Sequence, residues 1–220
     1  MDKIMFNNRF GQTQAVIDGI KTNTRRAERS LDILPLFYNP LITEFQFEYS
    51  DGLIVVRRLF KGTHVQTYHL KPRYKIGDEV AVAMSYESII EAAKSEDKIK
   101  HFLVKKDLML EDGRVCVDLF TSSGRTNKMF VRADIMPHRI RITDIKVERL
   151  RDISDVDAIK EGIYDANDFM NPGAYTYFGS TNTYKTPHEA FAALIDRISG
   201  RGTWEHNPWV FAYEFKLIKK

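Results

Sequence analysis

One cysteine in 220 residues leaves nothing for it to pair with. Cys116 therefore excludes an internal disulfide and any multi-cysteine metal site. Its neighbours Val115 and Val117 predict a buried strand thiol. No apolar run approaches the ~18 residues that a membrane span requires. The opening "MDKIMFNNRFG" also lacks the apolar stretch of a signal peptide. A soluble, cytoplasmic chain with no membrane partner is expected. Charge of one sign is scarce as well: 33 Lys and Arg against 30 Asp and Glu leave +3. A polyanion would have to be met by a local patch and not by the field of the whole molecule. Walker-type phosphate loops, GxGxxG and GxSxG elbows are missing. The six histidines show no HExxH or HxH spacing, so neither a metal nor a cofactor is expected.

What is present suits a globular chain. Hydrophobic residues make up 43% and charged residues 29%, enough to build a core without covalent staples. "KIMF" reads as a short strand. Val16, Ile17 and Ile20 fall at helical spacing, and Gly19 marks the stop. "EFQFEYSDGLIVVRRLF" alternates on both sides of Asp51-Gly52 and predicts a hairpin. "EVAVA" follows a Gly77-Asp78 turn as a buried strand, and "SIIEAAKS" gives one or two helical turns. "GRVCVDLF", "HRIRITDIKVERL" and "WVFAYEFKLI" are further strands. In the second of these Ile140, Ile142 and Ile145 mark the apolar face, with a break near Asp144. Ser154 and Asp157 form a capping-box pattern for a helix stopped by Gly162, whose core stripe is Val156, Ile159 and Ile163. Thr186-Pro187 opens a last helix closed by Gly200. Residues 164–185 read as a long loop. The sum is one α+β domain, an open or closed β-barrel with covering helices, with insertions at 31–73 and 164–185.

Three stretches stand apart. In "DGIKTNTRR", three cations crowd around two threonines. A strand over "TNTRR" puts positions 22, 24 and 26 on one face, and leaves Lys21 in the preceding turn, free to swing toward Thr24. The alternative is a basic loop whose threonines satisfy a helix end. Glu161 lies opposite the apolar stripe of its helix. It is either a solvated glutamate or a carboxyl beside a pocket, its pKa raised by the helix terminus and suited to proton donation. "GTWEHNPWVFAYEF" sets Trp204, Asn207, Pro208 and Trp209 before a strand. That is a place for a base-stacking wall, or for Trp209 in the core with Trp204 packing the last helix.

Together, "GIKTNTRR", "YKIGDEVAV", "RITDIKVERLRDISDVDAIKEGI" and "WEHNPWVFAYEF", in that order, resemble the ASCH-domain family of the PUA-like β-barrel superfamily. The likeness is to its larger phage and bacterial members. The resemblance implies a PUA-like small β-barrel, an RNA or modified-nucleoside partner, and, from small bacterial members, an amidohydrolase of N4-acetylcytidine. By that resemblance Lys21 and Thr24 match the family's lysine and threonine, and Glu161 of "AIKEG" its glutamate. Met84 and Ser85 stand where relatives often carry an Arg-Glu pair.

The implied chemistry assigns Thr24 as nucleophile and Lys21 as base, its pKa lowered by Arg25 and Arg26. Glu161 is the acid for the departing amine. Arg25, Arg26, Trp204 and Asn207 are the expected substrate contacts. The competing expectation is a non-catalytic module that binds RNA or a modified base through a basic groove with exposed aromatics such as Trp204 and Tyr175.

Overall fold

The computed structural model describes residues 2–34, 43–116, 121–166 and 172–218. Five strands form the central sheet: β1 (Lys3–Ile4), β2 (Asn23–Arg26), β6 (Glu79–Val82), β7 (Arg139–Arg149) and β10 (Trp209–Ile218). Their order is β1-β6-β7-β10-β2. β1 and β6 run parallel, and the other pairs are antiparallel. The spine is β7 against β10, joined along ten residues of β10. β7 carries the period-2 alternation that buries one face, and β10 is buried on both faces from Trp209 to Tyr213. Ile140, Ile142 and Ile145 are buried as expected. The register shifts between Glu214 and Phe215, which pair Asp144 and Ile142, so the predicted break is a β-bulge at Thr143.

A separate three-stranded meander, β3 (Thr43–Ser50), β4 (Leu53–Phe60) and β5 (Thr63–Leu70), covers one face of the sheet. Its Ile54, Val56, Tyr68 and Leu70 join Ile140, Val147, Phe211 and Tyr213 in one core cluster. The Asp51-Gly52 hairpin turns with positive φ at both residues, 50° and 79°. The expected hairpin gains a third strand through a matching turn at Lys61-Gly62, with φ 50° and 78°. β8 (Tyr164–Asp165) and β9 (Tyr175–Thr176) make a small ribbon within the predicted long loop.

Helices cover the rest: α1 (Gln12–Ile17), α2 (Tyr86–Ser95), α3 (Asp97–Lys105), α4 (Asp155–Lys160), α5 (Pro187–Ser199) and α6 (Thr203–His206). Both N-caps form as read: the Ser154 hydroxyl accepts from the Asp157 amide, and the Thr186 hydroxyl from the Glu189 amide, while the Asp157 carboxylate turns to Asn23 and Arg25 instead of completing a box. Thr186→Ala is expected to cost about 1 kcal/mol of stability, read from urea unfolding midpoints, with no change in the site described below.

The α+β class holds. Among the described residues no ladder joins the edge strands β1 and β2, so the sheet is open in its hydrogen bonding. Four local expectations are corrected. Ile20 is exposed, because the chain leaves α1 at Asp18 before the third apolar position can turn inward. α2 is ten residues long instead of one or two turns. Cys116 is half-buried, its thiol donating to the Asp107 carbonyl, and nearby only the isolated bridge Met109–Val115 forms. The remainder of "GRVCVDLF", residues 117–120, lies outside the described residues. The fourth concerns α4. Val156 and Ile159 are exposed, and Ala158 and Ile163 are buried. No helix among the described residues is long and apolar enough to cross a membrane.

Candidate active site

β2 is an edge strand, and its pairing with β10 decides where its side chains go. Thr24 lies opposite Tyr213, Arg25 opposite Ala212 and Arg26 opposite Phe211. Thr24 and Arg26 thus share the face of the core aromatics, and Arg25 takes the face covered by α5. Lys21 sits in the turn before the strand, fixed by its backbone N–H to the Ala15 carbonyl at 2.8 Å. This is the geometry read from "KTNTRR".

Glu161 enters from the other side. It ends α4, and Gly162 follows with φ 98°, a backbone region open to glycine and strained for other residues. The turn throws the Glu161 side chain inward, and the residue is 4% exposed. The Lys21 ammonium donates to the Glu161 backbone carbonyl at 2.8 Å and contacts its carboxylate Oε2. The second carboxylate oxygen accepts from Arg25 Nη1 at 3.1 Å.

Arg25 has no nitrogen to spare. Its Nε donates to Glu148 at 2.6 Å, and Nη2 meets Glu148 at 2.6 Å and Asp157 at 3.5 Å. Its guanidinium also lies 6.0 Å from the Phe191 ring. The expected substrate contact at Arg25 is narrowed: all three of its nitrogens meet protein carboxylates, leaving one Nη1 N–H, and it positions Glu161.

These groups line one cavity of about 290 Å³ between β2, the segment before α1, and α5. Lys21, Thr24, Arg25, Arg26 and Glu161 all reach it. One wall is apolar, from Phe6 and the Phe191, Leu194, Ile195 and Ile198 stripe of α5. Thr24 is 5% exposed, and none of the described hydrogen bonds engages its hydroxyl. Gln12, 3% exposed, gives its amide N–H to the Phe10 carbonyl at 3.3 Å. Arg26 Nη2 donates to the Met5 carbonyl at 2.5 Å, and its Nε is buried with no partner among the described residues.

Burial pulls the Lys21 ammonium below the ordinary lysine range. The charge and hydrogen bond of Glu161 oppose that shift, and Arg26 and Arg25 add to it. The neighbouring arginines thus act in the expected direction, with desolvation the larger cause. Burial also lowers Arg26 from its ordinary value.

The other two expected contacts lie elsewhere. Trp204 on α6 packs edge-on against Phe191 and His188, with ring centroids 6.1 Å and 4.8 Å apart. Asn207 adopts φ 46°, and its side-chain oxygen accepts from the Arg151 amide at 2.8 Å. Both build the corner leading into β10, so their assignment as substrate contacts is corrected. Trp209 is core, edge-on to Phe45. Tyr175 is half-buried, and its backbone bridges Tyr184.

Sequence reasoning missed Glu148, Asp157 and Gln12. Glu148 carried a readable signal, as the charged residue after buried Val147 on the strand that pairs β10. A larger cavity of about 690 Å³ lies between α1 and α2, and includes none of the residues expected from sequence. Among the described residues no group of three or more His, Cys, Asp or Glu could hold a metal ion.

Fold and site together define an α+β protein with a half-open, charge-paired cavity at a sheet edge. No protein-family model matches the chain, and it has no significant match among curated proteins or solved structures.

Proposed function

We propose that the chain is an ASCH-type, PUA-like amidohydrolase that acts on an N-acylated nucleoside such as N4-acetylcytidine. The observation that carries this reading is the buried Lys21–Glu161 pair lining the same cavity as Thr24, whose hydroxyl enters none of the described hydrogen bonds. An ammonium-carboxylate pair and an amine-carboxylic acid pair hold the same number of protons. Burial lowers Lys21 and so favours its neutral amine. One proton shift inside the pair then yields a base and an acid.

In the reaction, Lys21 takes the Thr24 hydroxyl proton as Oγ1 bonds to the acyl carbon. The C–N bond breaks, and the exocyclic nitrogen leaves with the proton from Glu161. The proton on Lys21 returns to Glu161. Water next hydrolyses the threonine ester, releasing the carboxylic acid and restoring the hydroxyl. Arg26 and Gln12 offer a donor and an acceptor to a polar base edge, and the α5 stripe offers an apolar wall to its ring. A cavity of about 290 Å³ suits one base with its acyl group better than a folded nucleic-acid surface.

The test is incubation of the purified protein with N4-acetylcytidine and related acyl-nucleosides, with product followed by chromatography. Release of cytidine and acetate supports the reading. Absence of turnover across the panel, with binding retained, would instead make the chain a reader of modified bases.

A further inference from the structure

Outside the inner cavity runs a second, more open groove of about 480 Å³, and the two share Met5, Phe6, Asn7 and Ile198 as walls. The polar lining of this groove is one-sided. Three asparagines border it, and each spends its side-chain carbonyl on the protein. Asn7 accepts from the Phe10 amide at 3.3 Å, and Asn127 from the Met129 amide at 3.0 Å. Asn8 accepts from the Thr13 hydroxyl at 2.5 Å and the Lys128 ammonium at 2.8 Å. Among the described hydrogen bonds none uses their side-chain NH2 groups. Thr126 and Lys128 complete the polar wall, and no carboxylate lines it.

A carboxamide whose oxygen is turned to the protein offers its NH2 donors on the other side, and at Asn8, which accepts twice, both oxygen lone pairs are used. Three such groups and no carboxylate match an oxygen-rich anion; the Lys128 ammonium, whose donors go to the Phe6 carbonyl, Asn8 and Thr13, adds positive charge and not a free donor. The donors are also held in place. The Lys3 ammonium bonds the carbonyls of Lys128 at 3.1 Å, Met129 at 2.5 Å and Val131 at 2.7 Å, tying this loop to β1. Lys128 is held down to a pKa of about 8 by burial and by Arg26, so an anion in the groove would draw it toward its charged form.

We propose that this outer groove is a phosphoryl subsite, so that the ligand whose base enters the inner cavity is a nucleotide and not a free nucleoside. The inference rests on the reading above for the base. The phosphoryl group itself is required only by the donor lining of the groove. A free nucleoside monophosphate and a phosphodiester within a strand would present the same chemistry.

Asn127→Asp tests this with little disturbance of the loop, because the aspartate keeps the oxygen that caps Met129 and replaces only the unspent donors with negative charge. Thermal unfolding checks that the loop survives. Wild-type protein is expected to process N4-acetylcytidine 5′-monophosphate with kcat/KM about tenfold above N4-acetylcytidine, a ratio set by charge-assisted hydrogen bonds. N127D should erase that preference and leave the nucleoside's constants unchanged. Millimolar inorganic phosphate should compete with the monophosphate and not with the nucleoside. A trinucleotide carrying the acetylated base separates the two sources: an equal or larger gain there identifies a strand, and a gain confined to the monophosphate identifies a free nucleotide. Equal constants for nucleoside and monophosphate, or equal losses of both in N127D, would overturn the subsite. If nothing is turned over, calorimetric binding of cytidine and its 5′-monophosphate to the two proteins decides the groove on its own: a preference for the monophosphate lost in N127D keeps it, and no preference ends it.

Discussion

Thr24→Ala is expected to reduce turnover of N4-acetylcytidine by about 10⁴-fold or more, because it removes the atom to which the acyl group is transferred. The fold should tolerate the change well. Thr24 spends no described hydrogen bond on the protein, and β2 is held through its backbone to β10. Thr24→Ser keeps a hydroxyl and should retain part of the rate, with the deficit arising from the freer rotamer of the smaller side chain. Lys21→Met removes the base and should cost roughly 10²–10⁴-fold. Because the two groups act as a unit, the double variant should be little worse than Thr24→Ala alone. Single-turnover measurements with Thr24→Ser, quenched with acid, should trap an acyl group on this residue. A Thr24→Ala protein that still releases cytidine at a wild-type rate would leave Thr24 as a lining group and return the nucleophile's role to water.

Much of the path to this site is legible in the residues. The strand over "TNTRR" follows from its spacing, and its pairing with β10 sets Thr24 and Arg26 on one face as that spacing requires. The caps at Ser154 and Thr186 are local chemistry, set by hydroxyls and the first free amides of a helix, so they need no tertiary information. What failed is the inference that an apolar stripe must face the core. In α4 the stripe of Val156 and Ile159 is turned outward, and the small Ala158 is buried instead. A helix of six residues has too little apolar area for its own moment to decide its rotation. The ion pairs of Arg25 and Lys21 at its C-terminal end impose the other choice. That reversal is why Glu161, which looks solvated on a helical wheel, is buried. Trp204 and Asn207 failed for another reason. Their residue types suit a ligand and a chain corner equally, and only the packing against Phe191 and the bond to Arg151 separates the two.

Glu161→Ala is expected to destabilise the protein by about 3–5 kcal/mol, the cost of leaving a buried ion without its partner. Two cations lose a counter-charge at once, since Lys21 and Arg25 each hold one of its oxygens. Arg25 keeps Glu148 and Asp157, so the larger share of the cost falls on Lys21. Replacing both members by apolar residues, as in Lys21→Met with Glu161→Leu, should recover most of the loss, because desolvation of the pair offsets much of its attraction. The pH dependence separates charge from lost packing. Lys21 in the folded protein already sits below its ordinary range through burial, and removing Glu161 takes away the influence that raises it. Between the lowered folded value and the ordinary unfolded value, the unfolded chain binds the additional proton, so stability rises with pH across that window. The deficit of Glu161→Ala relative to wild type should therefore be largest near neutral pH and shrink as pH climbs toward the ordinary lysine range. Urea midpoints measured from pH 7 to pH 10 would show it. A deficit constant across that range would mean that Glu161 contributes packing alone, and would remove the proton-sharing pair on which the proposed chemistry depends.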